Sequence, residues 1–269
     1  MNNLTGLFDS VNEKVGDIAN QVGQTPAAWN SSIYSMIRNL SETVIVPIAG
    51  LILAFVMTLE FIQMIVERNN FHDFDISNIY KWIFKTACAV LIVTNTWNIV
   101  MAVFDVSQTI VNNASGVIVG NVTLNFDTLI PDLQSRLEAM ELGELIGLWM
   151  QSFLVGICMW VLTIAIFLIS FGRMIEIYIV SSAAPIPMAT MMNREGGHMG
   201  QNYLKSLGAL GLQAFLILIC VAIYAALVRN ITVTGSISYA IWTCMGYTVL
   251  LCFSLFKTGS LAKSILGAH

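Results

Sequence analysis

Long apolar runs separated by short charged stretches place the strongest constraint on this chain. Four runs of about 20 residues, the length that crosses a hydrocarbon core, qualify on length alone. They cover residues 44–66, 82–104, 145–170 and 206–228, and a fifth, uncharged run covers residues 237–256. Hydrophobic residues make up 57% of the sequence and charged residues 10%, with a mean hydropathy of +0.76. Soluble domains do not have such a composition, so the sequence predicts an all-α, polytopic membrane protein.

The number of spans depends on residues 171–192, which are apolar but begin with Arg173 and Glu176 and contain Ala-Pro-Ile-Pro. Cytoplasmic loops carry an excess of basic residues, which distinguishes five spans from six. Five spans with the N-terminus outside place eight of the twelve basic residues inside, whereas six spans place only five there. The inside set for five spans is Arg68, Lys81, Lys85, Arg173, Arg194, Lys205, Lys257 and Lys263. We therefore predict about five transmembrane helices, an outside N-terminus and an inside C-terminus.

This topology divides the chain into four parts. Residues 1–43 form an extracytoplasmic amphipathic segment, and residues 44–104 form the first two transmembrane helices. Residues 105–144 form an extracytoplasmic loop. We expect its stretch from Val111 to be irregular or weakly extended because it is rich in Gly, Asn and β-branched residues. From Pro131 we expect a helix that continues unbroken into a long third transmembrane helix. Residues 145–269 form the C-terminal bundle, with a cytoplasmic Pro-broken segment at 184–205.

Apolar residues at helical spacing characterise the end of the N-terminal segment. Trp29, Ile33, Met36, Ile37 and Leu40 follow this spacing. They predict an amphipathic helix that lies on the outer leaflet or packs on a neighbouring subunit.

Polar residues inside the apolar runs are the candidates for a conduit or for helix interfaces. Glu60 and Gln63 share a face of the first span and would line a pore, or Glu60 would pair with Arg68 or Lys85 near the inner surface. Thr94, Asn95, Thr96 and Asn98 form a polar belt in the second span. Neutral side chains of this kind line a hydrated conduit or form hydrogen bonds between helices.

Two further features lie near the inner end of the third span. Arg173 and Glu176 share a helix face and are predicted to form a structural latch, with each other or with the same charges of a neighbouring protomer. The following Pro-containing segment is predicted to end the third helix, since proline removes a backbone donor. Its apolar residues would dock on the protomer's own helices or on a cytoplasmic ATPase. This candidate docking segment comprises Pro185, Pro187, Met188, Met192 and Arg194.

Signals for catalysis are weak throughout the sequence. The five cysteines lie in apolar runs without CxxC spacing, and the three histidines are far apart, so we expect neither metal nor cofactor. A phosphate-binding loop, a GxSxG motif and a dinucleotide fingerprint are all missing, so we expect no enzyme. The net charge of -4 provides no general basic field for nucleic acid. A cleavable signal peptide is not visible in the polar N-terminal stretch.

The stretch RMIEIYIVSSAAPIPMATMMNREGGHMGQNYLKSL from Arg173, with the following GALGLQAFLILICVAIYAALV, resembles TrbL-type channel proteins of conjugative type IV secretion systems. The versions in conjugative elements of Gram-positive bacteria are the most similar. The resemblance covers the C-terminal half through its residues, and the N-terminal half through its architecture only. It implies a multi-pass subunit of the bacterial cytoplasmic membrane that passes single-stranded DNA with bound relaxase.

The same resemblance implies a homo-oligomeric ring, with the long third helices near its axis and cytoplasmic ATPases among its partners. The bilayer itself is the remaining partner. Two alternatives stay open. A small-solute or ion transporter would show a charge pair at the membrane midplane, and only Glu60 suggests such a pair. An assembly scaffold that conducts nothing would show the same sequence.

Overall fold

A computed structural model describes residues 20–66, 76–122, 140–193, 197–229, 231 and 237–268. Regular secondary structure within these ranges is entirely helical. In chain order the helices are α1 (Pro26–Trp29), α2 (Ser31–Leu40), a π-helical segment (Ser41–Ile45), α3 (Val46–Val66), α4 (Ile76–Thr94), α5 (Thr96–Val122), α6 (Leu142–Ser182), α7 (Pro185–Thr190), α8 (Gly197–Arg229) and α9 (Ile237–Leu266).

Five helical stretches in the described part are long and apolar enough to cross a membrane, which confirms the predicted number of spans. They are Ser31–Val66, Ile76–Thr94, Leu142–Ser182, Gly197–Val228 and Ser238–Leu266. The long third helix is also confirmed, since α6 has 41 residues. At 1.5 Å per residue it is about 60 Å long, roughly twice the hydrocarbon thickness. The orientation of the termini stays a prediction.

The first span starts earlier than its apolar run. The Asn30 side chain caps α2 by accepting hydrogen bonds from the main-chain amides of Ser32 and Ile33, at 3.1 and 3.0 Å. No proline or glycine interrupts residues 31–46, so α2, the π-helical segment and α3 follow one another directly. The amphipathic segment is therefore the first part of a 36-residue helical stretch rather than a separate surface helix.

The second span differs from the predicted 82–104, because α4 ends at Thr94 and α5 begins at Thr96. Thr94, Asn95 and Thr96 each donate a side-chain hydrogen bond to the carbonyl four residues earlier, at 2.8, 2.9 and 2.9 Å. Side chains that bond the backbone in this way compete with the regular helical pattern and bend helices. The polar belt thus marks a helix boundary.

The prediction of an irregular chain from Val111 was wrong, because α5 continues as a helix to Val122. Tertiary packing overrides the local preference here, since Val111 is buried in a cluster with Leu148 and Val155. The prediction of an unbroken helix into the third span was also wrong. Met140 and Glu141 are not helical, and α6 begins at Leu142. Pro131 lies outside the described residues.

The described residues form two compact units, each with its own core. The first unit contains the described residues within 1–24, 107–173 and 212–261. Its core joins α6, α8 and α9 through buried residues such as Leu162, Ile217 and Leu255. The second unit contains the described residues within 25–106, 174–211 and 262–269.

The second unit has two buried clusters. In one, Trp97, Val100 and Phe104 of α5 pack with Met174 and Ile177 of α6. Trp29, Tyr34 and Ile37 of the amphipathic segment cover this cluster. That segment therefore packs on helices of its own chain, an arrangement that the sequence analysis did not consider. In the other cluster, α3 and α4 pack against the short helix α7.

Candidate functional site

An ion pair connects the first two spans. Glu60 of α3 and Lys85 of α4 form a hydrogen-bonded salt bridge. The Glu60 side chain is only 11% exposed and that of Lys85 is 32% exposed. The Trp82 indole donates to the Met57 carbonyl at 3.2 Å beside this pair, which fixes α3 against α4. Lys85 is one of the two partners that we considered for Glu60 as the alternative to pore lining. Gln63 lies one turn further along α3 and is partly exposed.

The polar belt divides between the interior and the surface. Thr96 is fully buried, whereas Thr94, Asn95 and Asn98 are exposed. The hydrogen bonds of Thr94, Asn95 and Thr96 go to carbonyls of their own helix rather than to another helix. Among the described residues, no hydrogen bond reaches the Asn98 side chain. This exposed polar group lies at the start of α5.

Long-range hydrogen bonds from two aromatic side chains hold the N-terminal segment in place, and the sequence analysis did not find them. The Trp97 indole donates to the Tyr34 hydroxyl at 3.0 Å, and the two rings meet edge to face. The Tyr178 hydroxyl donates to the Pro26 carbonyl at 2.6 Å. Aromatic residues next to polar partners at the ends of apolar runs are the signal that would have suggested such contacts.

The two residues of the predicted latch have different surroundings. Arg173 is buried, with 6% of its surface exposed. Glu176 is partly exposed and accepts a hydrogen bond from Lys263 near the C-terminal end of α9, at 3.2 Å. This ion pair lies within one protomer. The latch between protomers stays a prediction.

The candidate docking segment packs on the protomer's own helices. The helix α6 ends at Ser182, and Pro185 takes the first position of α7, where proline is favoured. Met188 is 2% exposed, and Ala189 joins Leu53 of α3 in a buried cluster that Met192 covers. Met188 therefore packs inside the protomer, in agreement with docking of the segment on the protomer's own helices, and docking on a cytoplasmic ATPase stays a prediction. Arg194 lies outside the described residues.

A close approach of two backbones fixes the turn between α7 and α8. A Cβ atom at Gly200 would lie 2.6 Å from Met191 Cβ and 2.7 Å from the Pro187 carbonyl oxygen. Only glycine fits this position without displacing the chain. The Tyr203 hydroxyl donates to the Val180 carbonyl at 3.0 Å and ties α8 to α6.

Metal-binding groups were searched only within the described ranges, which omit the stretch containing His72. In those ranges no group of three or more His, Cys, Asp or Glu side chains could hold a metal ion. The five cysteines are free thiols.

A family model decides where this architecture belongs. The model described as TrbL/VirB6 plasmid conjugal transfer like protein matches residues 11–185, well over half of the chain. The chain belongs to this family. As a TrbL/VirB6-like protein it is a multi-pass cell membrane component of conjugal transfer. No curated protein and no solved structure matches the chain.

The family match and the stretch that carries the resemblance cover different parts of the chain. The family match ends at residue 185, so most of the stretch from Arg173 to Leu207 lies beyond it. The N-terminal half, in which we saw agreement of architecture only, contains most of the matched residues. The matched range therefore contains the first three spans.

Proposed function

We propose that this TrbL/VirB6-like protein is a channel subunit of a conjugative type IV secretion system. In this role it helps single-stranded DNA with bound relaxase to cross the cytoplasmic membrane. The family match over residues 11–185 carries the proposal. The five apolar helices and the absence of a phosphate-binding loop from the sequence agree with a membrane subunit that is driven by separate ATPases.

The transported polymer requires a ring of several copies. A conduit for DNA is wider than a few packed helices of one chain enclose, whereas closed cyclic symmetry generates a wide central space from identical protomers. Large apolar side chains exposed along the spans supply surface for lipid and for neighbouring copies. We therefore propose a homo-oligomer with further secretion subunits, including cytoplasmic ATPases, as partners.

Crosslinking in mating cells tests the proposal. Donor cells are treated with formaldehyde during transfer, the protein is immunoprecipitated under denaturing conditions, and the transferred strand is quantified by PCR. We expect enrichment of the transferred strand over a plasmid region that is not transferred. A scaffold without a conduit predicts normal assembly of the other subunits but no enrichment, and this result would contradict the proposal.

A further inference from the structure

An apolar groove runs between α3 and α4, which belong to the first two spans and to the second compact unit. Its volume is about 240 Å³, and it extends from Val46 to Met57 on α3 and from Thr86 to Thr94 on α4. At 1.5 Å per residue its length is about 16 Å, roughly half of the hydrocarbon thickness of a bilayer. The groove therefore has the length of one leaflet.

The groove has a rigid floor and an open rim. The floor consists of residues that are buried in the cluster around α7, namely Leu53, Met57 and Val93. The rim on α3 consists of the small, exposed residues Gly50 and Ala54. A Cβ atom added at Gly50 would meet nothing within 4 Å. The groove is open because these rim positions carry almost no side chain.

The lining of the groove contains only two polar side chains, and both hydroxyl groups are used within the chain. The Thr86 hydroxyl donates to the Trp82 carbonyl at 2.8 Å. The Thr94 hydroxyl donates to the Val90 carbonyl, also at 2.8 Å. Neither hydroxyl proton is available to a ligand, and an apolar cavity of this kind stays dry. The lining therefore suits a hydrocarbon.

The two ends of the groove differ in polarity. At one end the Glu60–Lys85 ion pair and the Trp82 indole connect the two helices and close the groove. At the other end the second span finishes at Thr94. Asn98 follows one turn later, and its exposed amide can donate to a phosphate or ester oxygen. An apolar groove that is closed at one end and has a polar group beyond the other matches an amphiphile.

The dimensions of the groove distinguish an acyl chain from a helix of another copy. A helix with its side chains is about 10 Å wide, too wide for a groove of about 240 Å³ that is about 16 Å long. An acyl chain is narrow and flexible, and the bilayer supplies it at this depth. An unfilled groove leaves its lining atoms without dispersion partners on one side, so a chain that fills it is stabilised.

We propose that the groove between α3 and α4 binds one acyl chain of a phospholipid, with the headgroup at the Thr94 end. The site is complete within one protomer. It therefore does not depend on the proposed channel function, and it can be tested without transfer of DNA.

Photolabelling of the reconstituted protein tests the proposal. The full chain is placed in vesicles of phosphatidylethanolamine and phosphatidylglycerol that include a phosphatidylglycerol with a diazirine in the middle of one acyl chain. After irradiation, labelled residues are identified by peptide mass spectrometry. We expect the label to concentrate on the groove residues Ala54 and Val90, relative to Trp149 and Phe153 on the exposed apolar face of α6.

Filling the groove gives the decisive comparison. We expect Gly50→Leu to reduce the labelling of Val90 at least about fivefold, because the new side chain replaces acyl-chain atoms in contact with the floor. Gly156→Leu in α6 is the matched control, since Gly156 is also exposed and a Cβ atom there also meets nothing within 4 Å. Both changes improve helix propensity equally, and the control should leave the labelling of Val90 unchanged. Ala54→Leu fills the same groove from the next turn of α3 and should act like Gly50→Leu.

Two results would overturn the proposal. Labelling of Val90 that is no stronger than that of Phe153, and that neither Gly50→Leu nor Ala54→Leu reduces, would show general contact with bilayer lipid only. An efficient Ala54→Cys disulfide between copies, together with an unlabelled groove, would show that a second protomer covers it.

Discussion

The ion pair between Glu60 and Lys85 shows how a charge is tolerated near the end of a membrane hairpin. Lys85 neutralises the mostly buried carboxylate through one oxygen, while Glu60 Oε2 has no hydrogen-bond partner among the described residues. Removing one member of a buried pair leaves an uncompensated charge, which costs more than the pair itself contributes. The pair therefore matters for stability mainly when only one residue is changed.

We predict that Lys85→Met lowers the free energy of unfolding by about 1–3 kcal/mol, because Glu60 is then buried alone. The thermal unfolding midpoint of the detergent-purified protein measures this loss. The Glu60→Gln/Lys85→Met double variant should recover part of it, because no charge is then left unpaired.

Glu42→Gln is the matched control for this prediction. It breaks the exposed Arg38–Glu42 pair, whose side chains are almost half exposed, so we expect a change within about 0.5 kcal/mol. Equal shifts of the thermal unfolding midpoint for Lys85→Met and Glu42→Gln would contradict the claim that the Glu60 carboxylate is buried.

Sequence patterns identified the residues of the candidate site more reliably than they identified the residues that these side chains contact. Glu60 stood out because a carboxylate inside an apolar run is rare, and Lys85 was among its possible partners. Lys263 was not foreseen as the partner of Glu176, since the two are far apart in sequence and periodicity contains no information about such contacts. Asn98 was visible in the polar belt, but its exposure depends on which face of α5 the core covers.

Element lengths and breaks followed from the sequence where a strong local signal was present. Two prolines at 185 and 187 predicted the end of α6, and long apolar runs predicted the five spans. The helical stretch from Val111 to Val122 could not be predicted, because its Gly, Asn and β-branched residues favour other conformations and burial of residues such as Val111 stabilises it.

At the turn between α7 and α8 we predict that Gly200→Ala destabilises the protein by about 1–3 kcal/mol, because the new methyl group overlaps Met191 and the Pro187 carbonyl. Gly246→Ala in α9 is the control, since a Cβ atom there meets nothing within 4 Å. Better helix propensity should make the control neutral or more stable by up to about 1 kcal/mol. Thermal unfolding of both variants decides, and a stable Gly200→Ala protein would refute the close approach.

The latch hypothesis concerns the inner part of α6. We expect Glu176→Gln and Arg173→Gln to reach the membrane at normal levels, with loss of the oligomer on native gels and of DNA transfer. Lys263→Gln is the control, because it removes only the partner that Glu176 has within the protomer. That pair is about half exposed and contributes at most about 1 kcal/mol, so the control should keep the oligomer.

Two outcomes would contradict the latch. Normal rings and transfer in either α6 variant would leave the charges as headgroup anchors. Equal loss of the oligomer in Glu176→Gln and Lys263→Gln would make the ion pair a clamp inside one protomer.

At the scale of the whole molecule, orientation follows from the distribution of charge. An outside N-terminus and an inside C-terminus place eight of the twelve basic residues in the cytoplasm. We therefore expect a reporter that works only in the cytoplasm to be active when it is fused after His269, and a reporter that works only outside the cell to be inactive there. A fusion at this site that is active only outside the cell would contradict the five-span topology.

Site-specific photocrosslinking during mating tests the central claim most directly, because it asks which helix of the assembled protein touches DNA. A photoreactive amino acid replaces exposed Asn98 of the polar belt in one strain and exposed Ile146 of α6 in another. The account predicts that light links the transferred strand to position 98 and not to position 146. Transfer-competent cells in which position 146 alone is linked, or in which neither position is linked, would contradict it.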